Sequence, residues 1–171
     1  MEVSSSRISR VEVQKDFNHR VEYTILKANT DLSQGGWAEP VFLDNRLLGL
    51  TISQSNQVAN ILPAEIIALY LDSIGTGTYK GFATMELLWQ TNRDPAVSAW
   101  LGQKGDPEGI LIRDIPYGET GHGALEPKDL LVEINGYPID ADGYYTHPVY
   151  GELKYSNILT EGHMIGETIP V

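Results

Sequence analysis

The sequence predicts a mainly β chain with short helices, organised in two parts. Runs in which apolar and polar side chains alternate or β-branched residues cluster are typical of half-buried strands, and they occur both before residue 53 and after residue 85. Turn-forming dipeptides, Asp44-Asn45 and Asn135-Gly136, lie between such runs and favour hairpins. Helical spacing is confined to three short stretches, so a β-rich fold is expected.

The first part is predicted to hold four strands and one helix. The run 40–53 indicates a hairpin whose turn is Asp44-Asn45. Pro63 suits a first helical turn, because the N–H that it lacks has no partner there. Gly75 and the residues up to 78 end the helix, which predicts a boundary after residue 75. The predicted strands are 5–12, 20–27, 41–43 and 47–52, and the helix is 63–73.

The second part is predicted to begin with a strand at 85–90. Asp94 is expected to cap a short helix that runs to Leu101, with Pro95 at its first position and Gly102 beyond its end. Asn135-Gly136 favours a tight hairpin turn. The other strands are predicted at 109–115, 129–134, 137–139 and 167–171, and a last helix is predicted at 152–160, closed by Gly162.

Composition excludes several classes of protein. The chain has 171 residues, of which 42% are apolar, so it is not a disordered chain. It has no Cys, which excludes disulfides, a thiol nucleophile and thiolate metal sites. Twelve basic and 23 acidic side chains give a net charge of −11, a poor match to nucleic acid or an anionic membrane. No apolar run is long enough to predict a membrane span.

Neither a metal nor another cofactor is predicted. The run Asp140-Ala141-Asp142-Gly143 is similar to the start of a calcium-binding loop, but Gly151 stands where the terminal Glu of such a loop belongs. A turn is therefore the favoured interpretation. The loop 118–123 is rich in Gly, yet no Lys-Ser or Lys-Thr follows it, so it does not indicate a phosphate site.

Four stretches of the second part share their order with one known family: NRDPAVSAWLG at 92–102, GILIRDI at 109–115, ALEPKDLLVEINGYPI at 124–139 and GELKYSNIL at 151–159. Together they resemble a PDZ domain of the kind found at the C-terminal side of HtrA/Deg-type serine proteases. Lys128 stands where the family usually has Gly.

The first part resembles the same proteases. The run 24–53 contains Pro40-Val41 and Leu48-Gly49-Leu50, and it is similar to the end of their second β-barrel. The resemblance implies a partial trypsin-like β-barrel with a connector helix at 1–75, followed by a PDZ-like β/α domain at 76–171. It also favours an extracytoplasmic location, periplasmic or secreted, although no feature of the chain itself identifies a compartment.

The resemblance implies a degenerate protease site. Counting back from Pro40-Val41 puts Trp37 at the nucleophile position, whereas anchoring on Gly35-Gly36 puts Gln34 there. Neither an indole nor an amide can replace the serine hydroxyl of a triad. Glu39 stands in the oxyanion region, where negative charge opposes catalysis. No catalytic residue is therefore predicted, and the positions of this degenerate region are Gly35, Gly36, Trp37 and Glu39.

A peptide site is implied at the second part. PDZ domains add a peptide strand to a sheet edge and hold its terminal carboxylate on a loop. That loop corresponds to 81–87, where Met85-Glu86 replace the usual Leu-Gly, so internal or tethered segments remain possible ligands. Plain core packing is the alternative for the apolar members. The predicted peptide-binding residues are Phe82, Met85, Glu86, Leu87, Leu88 and Trp89 on the strand side, and Tyr155, Ile158 and Leu159 on the helix side.

Three functions stay open. The favoured hypothesis is a peptide- or protein-binding PDZ module joined to an inactive protease remnant. The first alternative is the C-terminal piece of an active serine endopeptidase involved in proteolysis and protein quality control. The second is a structural subunit that assembles with active homologues. The expected partners are peptide or protein segments, with a homo-oligomer or homologous protease subunits as further candidates.

Overall fold

The computed structural model describes residues 5–15, 21–31, 37–75, 77 and 79–171. Contacts within the chain divide it into two compact units, Met1–Lys80 and Gly81–Val171. Their predicted identities, a protease-barrel remnant and a PDZ domain, stay predictions. The mainly β fold class with few short helices is confirmed.

The first unit is an antiparallel sheet with one helix. Ile25 and Leu26 are neighbours on the same strand and both are buried, so both faces of that strand are covered. The two outermost strands are edges, and no closed barrel forms among the described residues. The strands are β1 (Arg7–Lys15), β2 (Glu22–Asn29), β3 (Pro40–Leu43), β4 (Arg46–Ser55) and β5 (Val58–Pro63), in the order β1-β2-β5-β4-β3, and the helix is α1 (Ala64–Gly75).

Two tight turns, one at each end of β4, join it to β3 and to β5. Asp44 and Asn45 have φ of 49° and 63°, the left-handed pair that a type I′ hairpin requires, so the predicted turn is confirmed. Asn56 and Gln57 form a second such turn, with φ of 51° and 62°, and it leads into β5. The sequence did not predict β5, because Asn-Gln is a weaker turn signal than Asn-Gly.

The prediction that Pro63 opens the helix was wrong. Pro63 is the last residue of β5, opposite Gly49 on β4, and α1 begins at Ala64. A strand can end on a residue with no N–H, and the fixed φ of Pro also leads into a helix.

The second unit combines a small sheet, two hairpins and two short helices. Its core is built by Ile110 and Ile112 of the sheet, with Leu159 from the last helix, all of them fully buried. Asp94 accepts a hydrogen bond from the N–H of Ala96 at 2.8 Å, which confirms the predicted cap. The elements are β6 (Leu88–Thr91), α2 (Pro95–Trp100), β7 (Ile110–Asp114), β8 (Leu130–Leu131), β9 (Glu133–Ile134), β10 (Tyr137–Pro138), β11 (Tyr144–His147), β12 (Gly151–Lys154) and α3 (Asn157–Thr160).

Two predicted elements of this unit were wrong. The predicted helix 152–160 begins instead as β12, which pairs with β11, and only Asn157–Thr160 are helical. Leu153 and Tyr155 are spaced two apart and both are buried, so a strand period had been taken for a helical one. Residues 167–171 form no strand; they are held by single contacts such as the 2.9 Å hydrogen bond from the N–H of Asn135 to the carbonyl of Pro170.

Candidate functional site

The loop that leads into β6 is fastened at several points. The carbonyl of Gly81 accepts a hydrogen bond from the N–H of Ile165 at 3.2 Å, and Phe82 forms an isolated antiparallel bridge with Met164. The hydroxyl of Thr120 donates to the carbonyl of Thr84 at 2.5 Å. The loop is therefore built into the unit, and three of the predicted site residues in it, Phe82, Met85 and Glu86, are half-buried.

β6 is an edge strand with two different faces. The sheet order is β6-β7-β8, so β7 occupies one edge of β6, and no strand of the described residues occupies the other. Leu87 is buried and Trp89 is half-buried, whereas Leu88 between them is 56% exposed. This alternation directs Trp89 towards the interior and Leu88 towards solvent.

The predicted helix-side residues are part of the core. Tyr155, Ile158 and Leu159 are each less than 5% exposed. The rings of Trp89 and Tyr155 meet edge to face, with centroids 5.8 Å apart. The structure thus brings together one residue from each predicted side of the groove, and Ile158 and Leu159 offer no open surface to a ligand.

A buried polar cluster holds α3 in place. Asn157 is fully buried, and its amide donates to the hydroxyl of Tyr145 at 3.0 Å and to Glu161 at 2.8 Å. Burial raises the pKa of the Tyr145 phenol to about 12. This cluster was not predicted from the sequence, because Tyr145 on β11 is far along the chain from Asn157 on α3 and Glu161 directly after it.

The far end of β6 is fixed as firmly as its start. The N–H of Asn92 donates to the carbonyl of Ala141 at 2.9 Å, and the buried Asn92 amide donates to the carbonyl of Glu108 at 2.9 Å. Arg93 pairs with Asp142 at 2.5 Å, and this hydrogen bond raises the pKa of the guanidinium. The edge of β6 is therefore held at both ends.

The described part of the degenerate nucleophile region, residues 37–39, lies beside β4. The side chain of Trp37 is 81% exposed. The N–H of Ala38 donates to the carbonyl of Thr51 at 2.7 Å, and the N–H of Glu39 donates to the Thr51 hydroxyl at 3.0 Å. Both donors are thus occupied within the chain and are not directed at an oxyanion. The predicted positions Gln34, Gly35 and Gly36 lie outside the described residues.

Among the residues with described positions, no group of three His, Cys, Asp or Glu could hold a metal ion. Among those same residues, no helix is long and apolar enough to cross a membrane. A polar, open cavity of about 570 Å³ lies between the ends of β1, β2 and β5, and none of the predicted site residues lines it.

Comparison with known proteins relates the chain to one family. The Do-like 13 protein of Arabidopsis thaliana is 23% identical over 171 residues, covering 98% of this chain. Protease Do-like 4, a mitochondrial protein of the same plant, is 23% identical over 164 residues, covering 88% of this chain. This chain is similar in sequence to the Do-like proteases over most of its length. No family model matches the sequence.

The relation to the HtrA-type proteases covers their C-terminal part. A solved structure, described as HtrA-type protease AlgW with decapeptide, matches 83% of this chain with a TM-score of 0.52 at 18% identity, which shows a common fold. The chain spans only about a third of the length of its plant relatives, 35% of one and 32% of the other, and 45% of the AlgW chain.

Proposed function

We propose that this chain is a peptide- or protein-binding module of an HtrA-like protein, and that its second unit acts as a PDZ domain. The observation that carries the proposal is the edge strand β6, which has one edge unoccupied by any described strand. The loop 81–87 leads into this strand, and Trp89 lies on it. An edge strand with unpaired backbone groups is the structural requirement for β-augmentation. The presence of a decapeptide in the AlgW structure supports the same function.

Charge favours one class of ligand. The second unit carries fourteen acidic and five basic side chains, a net charge of −9. A basic segment is attracted by such a unit, whereas a peptide ending in a carboxylate meets Glu86 in the loop before β6. The proposed ligand is therefore an extended internal segment that carries Lys or Arg.

Hydrogen exchange tests this function directly. A Lys-flanked peptide blocked at both ends should slow exchange at the amides of β6, because an added strand forms main-chain hydrogen bonds with them. The amides of β12, which already pair with β11, serve as the internal control. Equal exchange in β6 with and without a saturating peptide, or protection spread evenly over the unit, would contradict the proposal.

Under the same proposal, this chain is not expected to hydrolyse peptide bonds. Trp37 occupies the position reached by counting back from Pro40-Val41, and the N–H groups of Ala38 and Glu39 are engaged by Thr51. A fluorophosphonate probe applied to the complete gene product should leave every Ser unmodified, with trypsin as the labelled control. Labelling of any Ser would instead favour an active serine endopeptidase.

One observation favours assembly as a second function. Phe42, Leu43 and Leu47 are 62%, 57% and 43% exposed on the β3–β4 hairpin, and exposed apolar patches on soluble proteins often mark interfaces. Light scattering of the chain alone and mixed with a Do-like homologue tests this candidate. A mass above that of one copy, reduced by Phe42→Ser, is expected; a strict monomer in both samples would rule it out.

A further inference from the structure

The indole of Trp89 occupies the inner face of the free edge strand. It meets the ring of Tyr155 edge to face at 5.8 Å, with an interplanar angle of 83°. Tyr155 is 4% exposed, so the contact lies inside the unit. The indole of Trp89 therefore occupies part of the space between β6 and the residues that precede α3.

Gly143 makes room for this indole. A Cβ at Gly143 would lie 3.1 Å from Cη2 of Trp89, 3.3 Å from Cγ2 of Ile110 and 3.4 Å from Cδ1 of Tyr155. The φ of Gly143 is +82°, a conformation that side chains disfavour. The sequence indicates a turn here, but this position also requires Gly because the indole of Trp89, from a distant part of the chain, packs against it.

The backbone around Gly143 is held rigidly. One carboxylate oxygen of Asp140 accepts from the N–H groups of Asp142 and Tyr144, at 2.9 and 2.8 Å. The carbonyl of Gly143 accepts from the N–H of Tyr155 at 3.0 Å. These hydrogen bonds fix the turn at Gly143 and the backbone of Tyr155, which both border the indole of Trp89. The space around the indole therefore has little freedom to widen for a ligand.

An added strand presents one residue directly opposite Trp89. Cross-strand neighbours project from the same face of a sheet, with Cβ atoms about 4.5–5.5 Å apart. The ligand side chain opposite Trp89 would therefore lie directly beside the indole, which leaves less room for a large residue there than for a small one. The ligand residue opposite Leu88 projects from the other face, where Leu88 is 56% exposed and a large apolar side chain can pack on it.

Resting on the proposed peptide-binding function, we propose that Trp89 determines which segments the edge of β6 accepts. The partner is an extended basic segment that alternates a small residue (Gly, Ala or Ser) opposite Trp89 with a larger apolar residue opposite Leu88. Its affinity comes from main-chain hydrogen bonds and from Leu88, and no side chain of the partner enters an inner pocket. The net charge of −9 on the unit selects the basic flanks.

The test uses the full 171-residue chain and three fluorescent peptides with acetylated and amidated ends. Each peptide has two Lys at either end and a five-residue centre that reads Val-Ala-Val-Ala-Val, Val-Val-Val-Val-Val or Phe-Phe-Phe-Phe-Phe, so that the two uniform centres place the same side chain opposite Trp89 in every register. The alternating Ala peptide places Ala opposite Trp89 again when it shifts along β6 by two residues. Fluorescence polarisation should give wild type a Kd at least tenfold lower for the Ala peptide than for the Phe peptide.

Variants at the strand separate the two faces. Trp89→Ala should tighten binding of the Phe peptide at least fivefold and remove the preference, whereas Leu88→Ala should weaken all three peptides by similar factors. Trp100→Ala, which removes an indole that is 72% exposed on α2, is the matched control and should change nothing. If Trp89→Ala loses its circular-dichroism melting transition, Trp89→Phe, which keeps a ring beside Tyr155, carries the same comparison.

The outcomes distinguish the two proposals. Failure of all three peptides to bind wild type and variants alike would overturn the peptide-binding function itself. Binding in which the Trp89 variants keep the wild-type preference would leave that function intact and overturn the role of Trp89. Equal wild-type affinity for the Ala and Phe peptides would overturn it as well.

Discussion

The imidazole of His147 and the carboxylate of Glu161 lie 2.8 Å apart and join the hairpin β11–β12 to the end of α3. The other ring nitrogen, Nδ1, accepts hydrogen bonds from the N–H groups of Val149 and Tyr150, at 3.1 and 3.0 Å. Because Nδ1 accepts these hydrogen bonds, it carries no proton. The proton of the imidazole is therefore on Nε2, which donates a hydrogen bond to Glu161. His147 is 7% exposed, so this pair fixes the element that bears Ile158 and Leu159.

Replacing His147 by Ala should destabilise the second unit. The change leaves two backbone N–H groups without an acceptor and one carboxylate oxygen of Glu161 without its donor, which costs about 2–4 kcal/mol and lowers Tm of the unit by roughly 8–30 °C. Calorimetry measures the change. His163→Ala is the control, because His163 makes only exposed contacts to Asn135 and Glu167; equal Tm values for the two variants would contradict the structural role of His147.

Tyr145 makes stability fall at alkaline pH. Its pKa is raised from about 10 in the unfolded chain to about 12 in the fold, so the folded state keeps a proton that the unfolded state loses. Stability is therefore complete below pH 10 and decreases as the pH rises towards 12, by at most about 3 kcal/mol. Urea unfolding at several pH values measures this slope.

Tyr145→Phe is the matched variant for the alkaline experiment. It removes the titrating hydroxyl but also the hydrogen bond from Asn157, so it should be less stable than wild type at pH 8 by about 1 kcal/mol. Its stability should then fall less steeply between pH 10 and pH 12. Parallel curves for the two proteins over that range would show that another Tyr is responsible.

Glu12 is expected to make the first unit sensitive to acid. Its carboxylate lies 2.5 Å from the ammonium of Lys27 on the neighbouring strand, and this hydrogen bond holds the pKa of Glu12 below its usual range. The contribution is present above the unfolded pKa and is lost as the pH falls through the folded one. Glu12→Gln should cost about 0.5–1 kcal/mol at pH 7 and much less at pH 3.

Lys27→Met completes a double-mutant cycle for this pair. If the two residues act through each other, the double variant should be about as stable at pH 7 as either single one. Denaturant midpoints at pH 7 and pH 3 give the four values required. Additive losses at pH 7, or a cost of Glu12→Gln that is unchanged at pH 3, would contradict the acid dependence.

Local signals explain which parts of the fold could be predicted. The turn Asp44-Asn45 and the cap Asp94 depend on a few neighbouring residues, and both were predicted correctly. The hairpin β11–β12 could not be predicted in the same way, because the spacing of Leu153, Tyr155 and Ile158 is compatible with more than one period. What decides between strand and helix there is the pairing with β11, which is a tertiary contact.

The candidate peptide site stays a prediction, and the structure shows only which of its residues meet. The resemblance indicated the segments around Trp89 and Tyr155, and these two rings do meet. Ile158 and Leu159 are buried, which agrees with the core packing given as the alternative for the apolar residues, whereas nothing indicated that Gly143 provides the space for Trp89. Such relations join residues that are far apart in sequence, and no local pattern records them.

Replacing Glu86 by Gly should restore affinity for a peptide that ends in a carboxylate. The change removes a negative charge from the loop before β6 and allows backbone conformations with positive φ, in which N–H groups can turn towards an anion. A decapeptide with a free C-terminus should bind Glu86→Gly on the order of tenfold tighter than wild type, while the amidated form should change little. Glu86→Gln separates charge from backbone freedom, and Glu126→Gln, an exposed acid outside the site, controls for net charge. Polarisation titrations with both peptides measure the ratio; a ratio that is equal in wild type and Glu86→Gly would show that Glu86 does not select the ligand terminus.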